Sequence, residues 1–277
     1  MSDAYAHCAA LVREADHDRF LAALFAPPER RPHLLALYAF NVEMTRVGHV
    51  VHEALAGEIR LQWWRDALAG EARGDAAANP VAAALLDTIA QCDLPGAPFE
   101  ALIDAHAQDL YGEPIATLDD LEGFCRATAS GLFGLAAQVL APGAPVDAVA
   151  VPAGIAYGLT SMLQTFARER ARGRIRVPLD LLDCHGVTPE QVLAGTGVAG
   201  LTQALAEIAS RAQQRLVAAR RGWADMAAAA RPAFLPLGLV EPMLARVARN
   251  RDPLRPIELA PWRRQWALWR TARRGAV

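Results

Sequence analysis

Apolar and polar positions follow a helical pattern along almost the whole chain, in long stretches rich in Ala, Leu, Arg and Glu that prolines separate. No segment alternates apolar and polar residues with β-branched side chains, so no sheet is expected. The pattern predicts helices over residues 4–24, 30–55, 57–73, 80–92, 98–111, 118–140, 147–170, 189–195, 200–230, 234–249 and 261–273. The expected fold class is therefore all-α.

Several helix starts are marked by capping residues. Thr117-Leu-Asp-Asp120 places a hydroxyl three residues before an acid, which is a variant of the capping box. Asn79 and Thr188 each precede a proline, and proline is favoured at the first position of a helix. No heptad run or internal repeat is visible. We expect one domain over residues 1–277, since single cores grow to about 250–300 residues.

Composition excludes some classes of protein. Hydrophobic residues make up 53% of the chain, which is too many for a disordered protein. Thirty acids against 28 bases, all of them arginine, give a net charge of −2. This balance excludes a whole-chain binder of polyanions, so no nucleic-acid partner is expected.

Cysteine spacing and the first residues bear on the compartment. The four cysteines, at positions 8, 92, 125 and 184, form no CxxC pair, so neither a disulfide framework nor a zinc site is expected. Residues 1–13 lack a basic region followed by an apolar run, so no signal peptide is expected. Both features predict a cytoplasmic protein with reduced thiols.

Charge is distributed unevenly along the chain. Residues 75–122 contain ten acids and no arginine, whereas residues 246–277 contain nine arginines against Asp252 and Glu258. Solvated acidic and basic surfaces explain this pattern. The alternative is that the basic C-terminal stretch contacts anionic lipid or an acidic partner.

Two windows, 127–146 and 148–167, carry no charge and are each about as long as a membrane-spanning helix. Repeated Gly and Pro, and polar residues such as Gln138 and Gln164, interrupt both windows. Buried helices of a bundle are the favoured interpretation, and a membrane-spanning hairpin is the alternative.

The helix predicted over 30–55 is apolar on most sides, so it is expected to be central and its polar residues to need buried partners. Positions 38, 41, 45, 49 and 52 are spaced by three or four and share one face. His49, His52 and Glu53 resemble a metal-ligand set, but a metal site is not the favoured interpretation, because an i, i+3 histidine pair is common by chance and no third strong ligand is visible. Glu43 is expected to pair with an arginine.

A set of segments in a fixed order extends from this helix along the chain. They are Phe25-Ala-Pro-Pro-Glu-Arg-Arg-Pro-His-Leu-Leu-Ala-Leu-Tyr-Ala-Phe40, Arg60-Leu-Gln-Trp-Trp-Arg65, Asn79-Pro-Val-Ala, Leu102-Ile-Asp-Ala-His-Ala-Gln-Asp109-Leu, Phe124-Cys125 with Gly131-Leu-Phe-Gly, Ala156-Tyr157-Gly158-Leu and Arg172-Gly173-Arg174-Ile-Arg-Val-Pro178. Together they resemble the squalene/phytoene synthase family over about residues 5 to 270.

The resemblance implies a helical bundle of the isoprenoid synthase type with a central cavity. Members of that family join two prenyl diphosphates head to head. Two of their helices carry carboxylates spaced i, i+4, which hold Mg²⁺ against the diphosphate. The metal neutralises the leaving group as the carbocation forms.

This chain departs from the family at those carboxylates. The first signature would place them at Thr45, Arg46 and His49. The stretch from Gly158 to Gly173 resembles a shortened second signature and keeps Glu169 as its only acid. Asp109 also matches a family acid. Such departures resemble the non-catalytic branch of the family, which includes a mitochondrial assembly factor of respiratory complex I.

The resemblance therefore implies a non-catalytic assembly, interaction or isoprenoid-binding protein, peripheral at the inner membrane, with an isoprenoid, a lipid or a respiratory-complex subunit as partner. No cofactor is expected. The alternative is an active transferase of farnesyl or geranylgeranyl groups, which would need Mg²⁺, for instance on Glu43, Asp109 and Glu169. The residues expected to line the pocket are Tyr38, Asn41, Glu43, Arg46, Asp109, Tyr157 and Gln164. Arginines that would bind an anion without metal are Arg168, Arg172 and Arg174, with Arg46, Arg170 and Arg176 beside them, unless this cluster is a solvated helix end.

Overall fold

The computed structural model describes residues 3–50, 54–71, 76–250 and 252–275, with side chains for all of these except 48–50 and 77. The described residues form α-helices joined by short turns and contain no strand, which confirms the all-α prediction. The helices are α1 (Asp3–Ala15), α2 (His17–Ala23), α3 (Arg31–Val50), α4 (Ala54–Ala69), α5 (Pro80–Cys92), α6 (Ala97–Asp109), α7 (Leu118–Cys125), α8 (Gly131–Leu140), α9 (Asp147–Ala171), α10 (Leu179–Cys184), α11 (Pro189–Ala194), α12 (Val198–Arg221), α13 (Val240–Arg249) and α14 (Pro261–Arg274).

The predicted caps are present. Asn79 accepts hydrogen bonds from the backbone of Val81 and Ala82 at 2.9 and 3.2 Å, with Pro80 at the first position of α5. Thr117 and Asp120 form a reciprocal capping box at the start of α7. Thr188 caps α11 in the same way. These local signals identified helix starts because a cap satisfies backbone N–H groups that have no partner within the helix.

Several predicted helices differ from those observed. The segment 4–24 is two helices, because Asp16 caps α2 by accepting from Arg19 N at 3.1 Å. Residues 126–130 form a π-helical turn between α7 and α8. The segment 200–230 ends at Gly222, and residues 228–239 are a 3₁₀-helix interrupted by two prolines, which cannot donate to a helical ladder. The sequence pattern missed the short helix α10.

Contacts within the chain group its residues into two compact units. The first unit comprises Met1–Tyr111, Gly131–Asp147 and Asp225–Pro236. The second unit comprises Gly112–Ser130, Ala148–Ala224 and Leu237–Val277. A single domain over the whole chain stays a prediction.

Helix α3 is the centre of the first unit. It packs against α1, α5, α6 and α8, and its Leu34, Leu37, Phe40 and Met44 are fully buried. The Phe40 ring lies edge-on to Trp64 at 5.0 Å and to Phe99 at 5.6 Å between centroids. Burial of such side chains stabilises the fold by about 1.5–3 kcal/mol each. The helix is therefore central, as its sequence predicted.

Helices α9 and α12 form much of the second unit. Along α12, buried apolar residues recur every three or four positions, from Leu201 through Ile208 and Ala212 to Leu216. Along α9, Gly154 and Gly158 face Ser130 and Cys125 so closely that a Cβ at position 158 would lie 2.6 Å from the Cys125 sulfur. The two glycines allow the backbones to approach.

The uncharged windows 127–146 and 148–167 fold as the π-helical turn, α8 and most of α9. Most apolar residues in these helices are buried against the rest of the protein. Within the described part of the chain, no helix combines the length and the apolar character that a membrane crossing requires. The favoured prediction of buried bundle helices is confirmed.

Candidate functional site

Tyr38 and Asn41, two expected pocket residues, lie on consecutive turns of α3. Both are buried. The Arg19 guanidinium lies 5.8 Å from the centre of the Tyr38 ring, which is within the distance of a cation–π contact. Since α3 runs through the core of the first unit, these polar side chains have fixed positions.

The first-signature positions begin at Thr45, one turn after Asn41. The Thr45 hydroxyl donates to the backbone carbonyls of Asn41 and Val42, at 3.1 and 2.9 Å. Arg46 lies 3.9 Å from Glu43, and Arg60 of α4 lies 3.8 Å from the same carboxylate. Glu43 thus has the arginine neighbours that the sequence predicted.

The third position of that signature is His49, whose side chain lies outside the described residues, as do His52 and Glu53. The hypothesis that these three side chains bind a metal therefore lies outside the described residues. Asp109 is the last residue of α6 and is half-buried. It belongs to the first unit, like Tyr38, Asn41, Glu43 and Arg46.

The second signature lies on α9, in the second unit. Tyr157 and Gln164 are half-buried there. Glu169 is buried near the end of the helix and accepts a hydrogen bond from Arg172 Nη1 at 3.2 Å. The acid that remains from the shortened signature is therefore held by an arginine three residues later.

The arginines near the end of α9 point in several directions. Arg170 Nη1 donates to the Leu193 carbonyl at 2.9 Å, and the Arg176 guanidinium lies 5.4 Å from the centre of the Phe124 ring. Arg168 and Arg172 are exposed, and Arg174 is half-buried. Other groups of this chain thus contact part of the arginine cluster.

A buried ion-pair cluster around Glu122 was not singled out from the sequence. The Glu122 side chain of α7 is 4% exposed. It accepts from both Nε, at 2.8 Å, and Nη2 of Arg215, and from Arg211 Nη1 at 3.2 Å. The Glu122 carboxylate raises the pKa of Arg215 above its usual value by accepting these hydrogen bonds. The sequence feature that could have indicated this cluster is the pair Arg211 and Arg215, which are four residues apart and lie on one face of α12.

A second unanticipated cluster joins α1, α3 and α5 in the first unit. The Tyr5 hydroxyl donates to Asp87 Oδ2 at 2.7 Å, and His33 Nδ1 lies 3.0 Å from Thr88 Oγ1. Burial raises the pKa of Tyr5 and lowers the pKa of His33. Tyr5 and His33 are 28 residues apart, so no local pattern could bring them together.

A sequence profile of the family described as Squalene/phytoene synthase matches residues 12–270. The chain belongs to the squalene/phytoene synthase family. This confirms the resemblance inferred from the segments on α3, α4, α6 and α9.

Relatives with two kinds of name are similar to this chain. "NADH dehydrogenase (ubiquinone) complex I, assembly factor 6" of Rattus norvegicus is 29% identical over 248 residues, which cover 89% of this chain and 74% of the relative. "Phytoene synthase, chloroplastic" of Daucus carota is 27% identical, covering 90% of this chain and 65% of the relative.

Solved structures show the same fold. Squalene synthase HpnC from Alicyclobacillus acidocaldarius superposes with a TM-score of 0.75 at 28% identity, covering 89% of this chain and 93% of that one. A dehydrosqualene synthase solved in complex with ligand gives 0.81 at 18% identity, covering 98% and 96%. The fold is therefore of the isoprenoid synthase type, as expected, and the central cavity stays a prediction.

The resemblance to squalene/phytoene synthases implies Mg²⁺, but the described residues of the two signatures are not a suitable set of ligands for it. Mg²⁺ binds a near-octahedral set of oxygen ligands, usually including carboxylates. The first signature instead presents the hydroxyl of Thr45 and the guanidinium of Arg46, and the second presents Glu169 already bonded to Arg172. Among residues 3–47, 54–71, 76–250 and 252–275, no three His, Cys, Asp or Glu side chains group as a metal site.

Proposed function

We propose that this protein is a non-catalytic member of the squalene/phytoene synthase family that acts in the assembly of NADH dehydrogenase complex I, peripherally at the inner membrane. The observation that carries the proposal is the state of the first signature on α3. Arg46 stands where a family enzyme would hold Mg²⁺ through a carboxylate, and a guanidinium repels the cation.

The second signature supports the same conclusion. Head-to-head condensation needs a cation that neutralises the leaving diphosphate. Glu169 is buried and bonded to Arg172, so its negative charge is balanced by the protein itself. The relatives named as complex I assembly factor 6 give the proposal its partner, a subunit or intermediate of the respiratory complex.

A retained ligand is part of the proposal. Family membership favours an apolar cavity that holds an isoprenoid or another lipid, with Tyr38 as a candidate lining residue. Arg168, Arg172 and Arg174 of the second unit are candidates to bind an anion directly, because guanidinium groups bind phosphate oxygens without a metal.

The second candidate function is head-to-head prenyl transfer between two farnesyl or geranylgeranyl diphosphates. The observation that favours it is the 28% identity to a protein named squalene synthase. It would need Mg²⁺ ligands from outside the usual pattern. Glu43, a candidate for that role, already has two arginine neighbours.

One experiment separates the two candidates. The purified protein is incubated with farnesyl or geranylgeranyl diphosphate and Mg²⁺, with and without a chelator, and the lipid products are analysed by mass spectrometry. We expect no squalene, phytoene or cyclopropyl intermediate. A product that disappears with the chelator and in Glu43→Gln would overturn the non-catalytic assignment.

The assembly role needs its own measurement. Deletion of the gene in its own organism is expected to lower NADH:ubiquinone reductase activity and the amount of assembled complex on native gels. Expression of the parent protein, and equally of the Glu43→Gln and Glu169→Gln variants, should restore both. Normal complex I in the deletion strain would refute the assembly role.

A further inference from the structure

Helix α14 combines tryptophan and arginine in an unusual density. Its fourteen residues, Pro-Trp-Arg-Arg-Gln-Trp-Ala-Leu-Trp-Arg-Thr-Ala-Arg-Arg, contain three tryptophans, five arginines and no acid. None of these residues belongs to the two family signatures. The prenyl-transfer chemistry of the family therefore does not account for the composition of this helix.

The tryptophans share one outward face. Trp262, Trp266 and Trp269 are spaced by four and three residues, which places them on one side of a helix. They are 63%, 55% and 40% exposed. Arg273 follows four residues after Trp269 and continues the same line, so the ridge is about 16 Å long. We call this row the α14 outer face.

The opposite side of α14 anchors the helix to its own unit. Ala267, Leu268 and Thr271 are buried. Gly238 lies against Thr271 so closely that a Cβ on the glycine would overlap the threonine hydroxyl. At the helix end, Trp223 Nε1 donates to the Gly275 carbonyl at 2.6 Å. The inner side thus fixes the helix without using the outer tryptophans.

Arginines lie beside the exposed rings. The Arg263 guanidinium is 5.1 Å from the centre of the Trp262 ring, and that of Arg273 is 4.9 Å from the Trp269 ring. The Trp266 and Trp269 rings stack at 4.9 Å. Arg263, Arg273 and Arg274 are all exposed. Apolar rings and positive charge are therefore presented together.

We propose that the α14 outer face docks on a bilayer surface that contains anionic lipid, with the helix axis in the plane of the membrane. Tryptophan rings favour the boundary between headgroups and acyl chains. Arginines near the surface are attracted to anionic headgroups, and a helix with both features lies in the interface.

The size of the ridge favours a membrane over a protein partner. The exposed parts of three tryptophans amount to roughly 400 Å², taking about 250 Å² for a whole side chain. A standard protein–protein interface buries about 800 Å² on each partner. A bilayer accepts a narrow ridge, because the rings insert individually and the arginines stay at headgroup depth. This inference rests on the peripheral location in the proposed function, and it is independent of any role in complex assembly.

The test is flotation of the full-length protein with vesicles in about 0.15 M salt. Vesicles of POPC with one quarter POPG should carry the protein upward, and vesicles of POPC alone should carry little. Changing Arg263, Arg273 and Arg274 to Gln should weaken binding to the POPG vesicles about tenfold or more. Changing the three tryptophans of the outer face to Ala should weaken it to a similar degree.

Two matched controls isolate the face. Arg13→Gln, Arg126→Gln and Arg221→Gln remove the same charge from exposed positions elsewhere, and the combined variant should bind like the parent. Leu55→Ala with Ile59→Ala removes exposed apolar area from α4 and should also bind normally. Circular dichroism and thermal melting should show that every variant is folded.

Three results would overturn the proposal. The first is failure of the parent to float with POPG vesicles. The second is equal loss of binding in the control and face variants. The third is a parent dimer in analytical ultracentrifugation that the tryptophan variant abolishes while lipid binding stays unchanged, which would assign the face to a second copy of the chain. These measurements use purified protein and vesicles, so their outcome does not depend on whether the protein acts in complex I assembly.

Discussion

Single residues show how the chain satisfies carboxylates with arginine. Glu122 receives the fork of Arg215 and a further N–H from Arg211, and Glu169 receives Arg172. The chain contains no lysine, so each of these partners is a planar group that can donate two parallel hydrogen bonds. Both oxygens of Glu122 are taken up by arginine, which makes it a poor ligand for a further cation, whereas Glu169 binds Arg172 through Oε1 and keeps its buried Oε2 without a hydrogen-bond partner.

Glu122→Gln is expected to destabilise the protein by about 1.5–3 kcal/mol, because a neutral amide with one oxygen replaces the buried carboxylate that accepts from Arg211 and Arg215, whose side chains are 31% and 35% exposed. Urea unfolding followed by circular dichroism measures the change. Asp119→Asn is the matched control, since Asp119 lies 3.4 Å from the same Arg211 but its side chain is 85% exposed. The control should unfold like the parent. Equal midpoints for both variants would contradict the role of Glu122.

At the level of the helices, close packing restricts substitution along α9. It contains Pro152 and still continues from Asp147 to Ala171. Ser130, at the end of the π-helical turn, donates from its hydroxyl to the Val151 carbonyl at 2.8 Å, beside the proline. Gly154 lies against the backbone of the same serine. The π-helical turn ends at this contact.

Gly154→Ala is expected to destabilise the protein by about 3 kcal/mol or more, because the new methyl group would overlap the Ser130 backbone, which cannot rotate away. Thermal unfolding by calorimetry measures the shift. Gly134→Ala on α8 is the control: nothing lies within 4 Å of its Cβ position, and alanine is a better helix former than glycine. The control should melt at the same temperature as the parent or slightly higher. A normal melting temperature for Gly154→Ala would show that the close approach is absent.

Across the whole molecule, folding separates the four cysteines into two environments. Cys8, Cys92 and Cys125 are buried, and Cys184 at the end of α10 is exposed. Burial raises the pKa of Cys8 and of Cys125 to about 12, so both stay protonated at neutral pH. The thiolate is the reactive form of cysteine. Accessibility and protonation therefore favour reaction at a single position.

Native protein is expected to react with one equivalent of a thiol reagent at pH 8, and urea-unfolded protein with four. Intact-mass spectrometry after alkylation counts the modified thiols, and peptide mapping locates them. Cys184→Ser should show no rapid modification in the native state and three sites after unfolding. Rapid labelling of Cys125 in the native protein would disprove this arrangement of the core.

The family assignment and most of the helices followed from the sequence. Helical periodicity and caps such as Asn79 and Thr117 depend on neighbours within four residues, so they are visible in a linear pattern. The identities of Thr45 and Arg46 at the first signature were visible for the same reason. The break at Asp16 and the π-helical turn were missed, because both sequences also allow a continuous helix.

The sequence alone determined the all-α fold, the family, the start of most helices and the loss of carboxylates at the described signature positions, since each depends on residue type and local spacing. Tertiary structure decided which charges meet. Glu122 and Arg215 are 93 residues apart, and only the packing of α7 against α12 joins them. It also decided which side of α14 faces outward. Ala267, Leu268 and Thr271 bury one side, and this leaves three tryptophans exposed that would otherwise belong in a core.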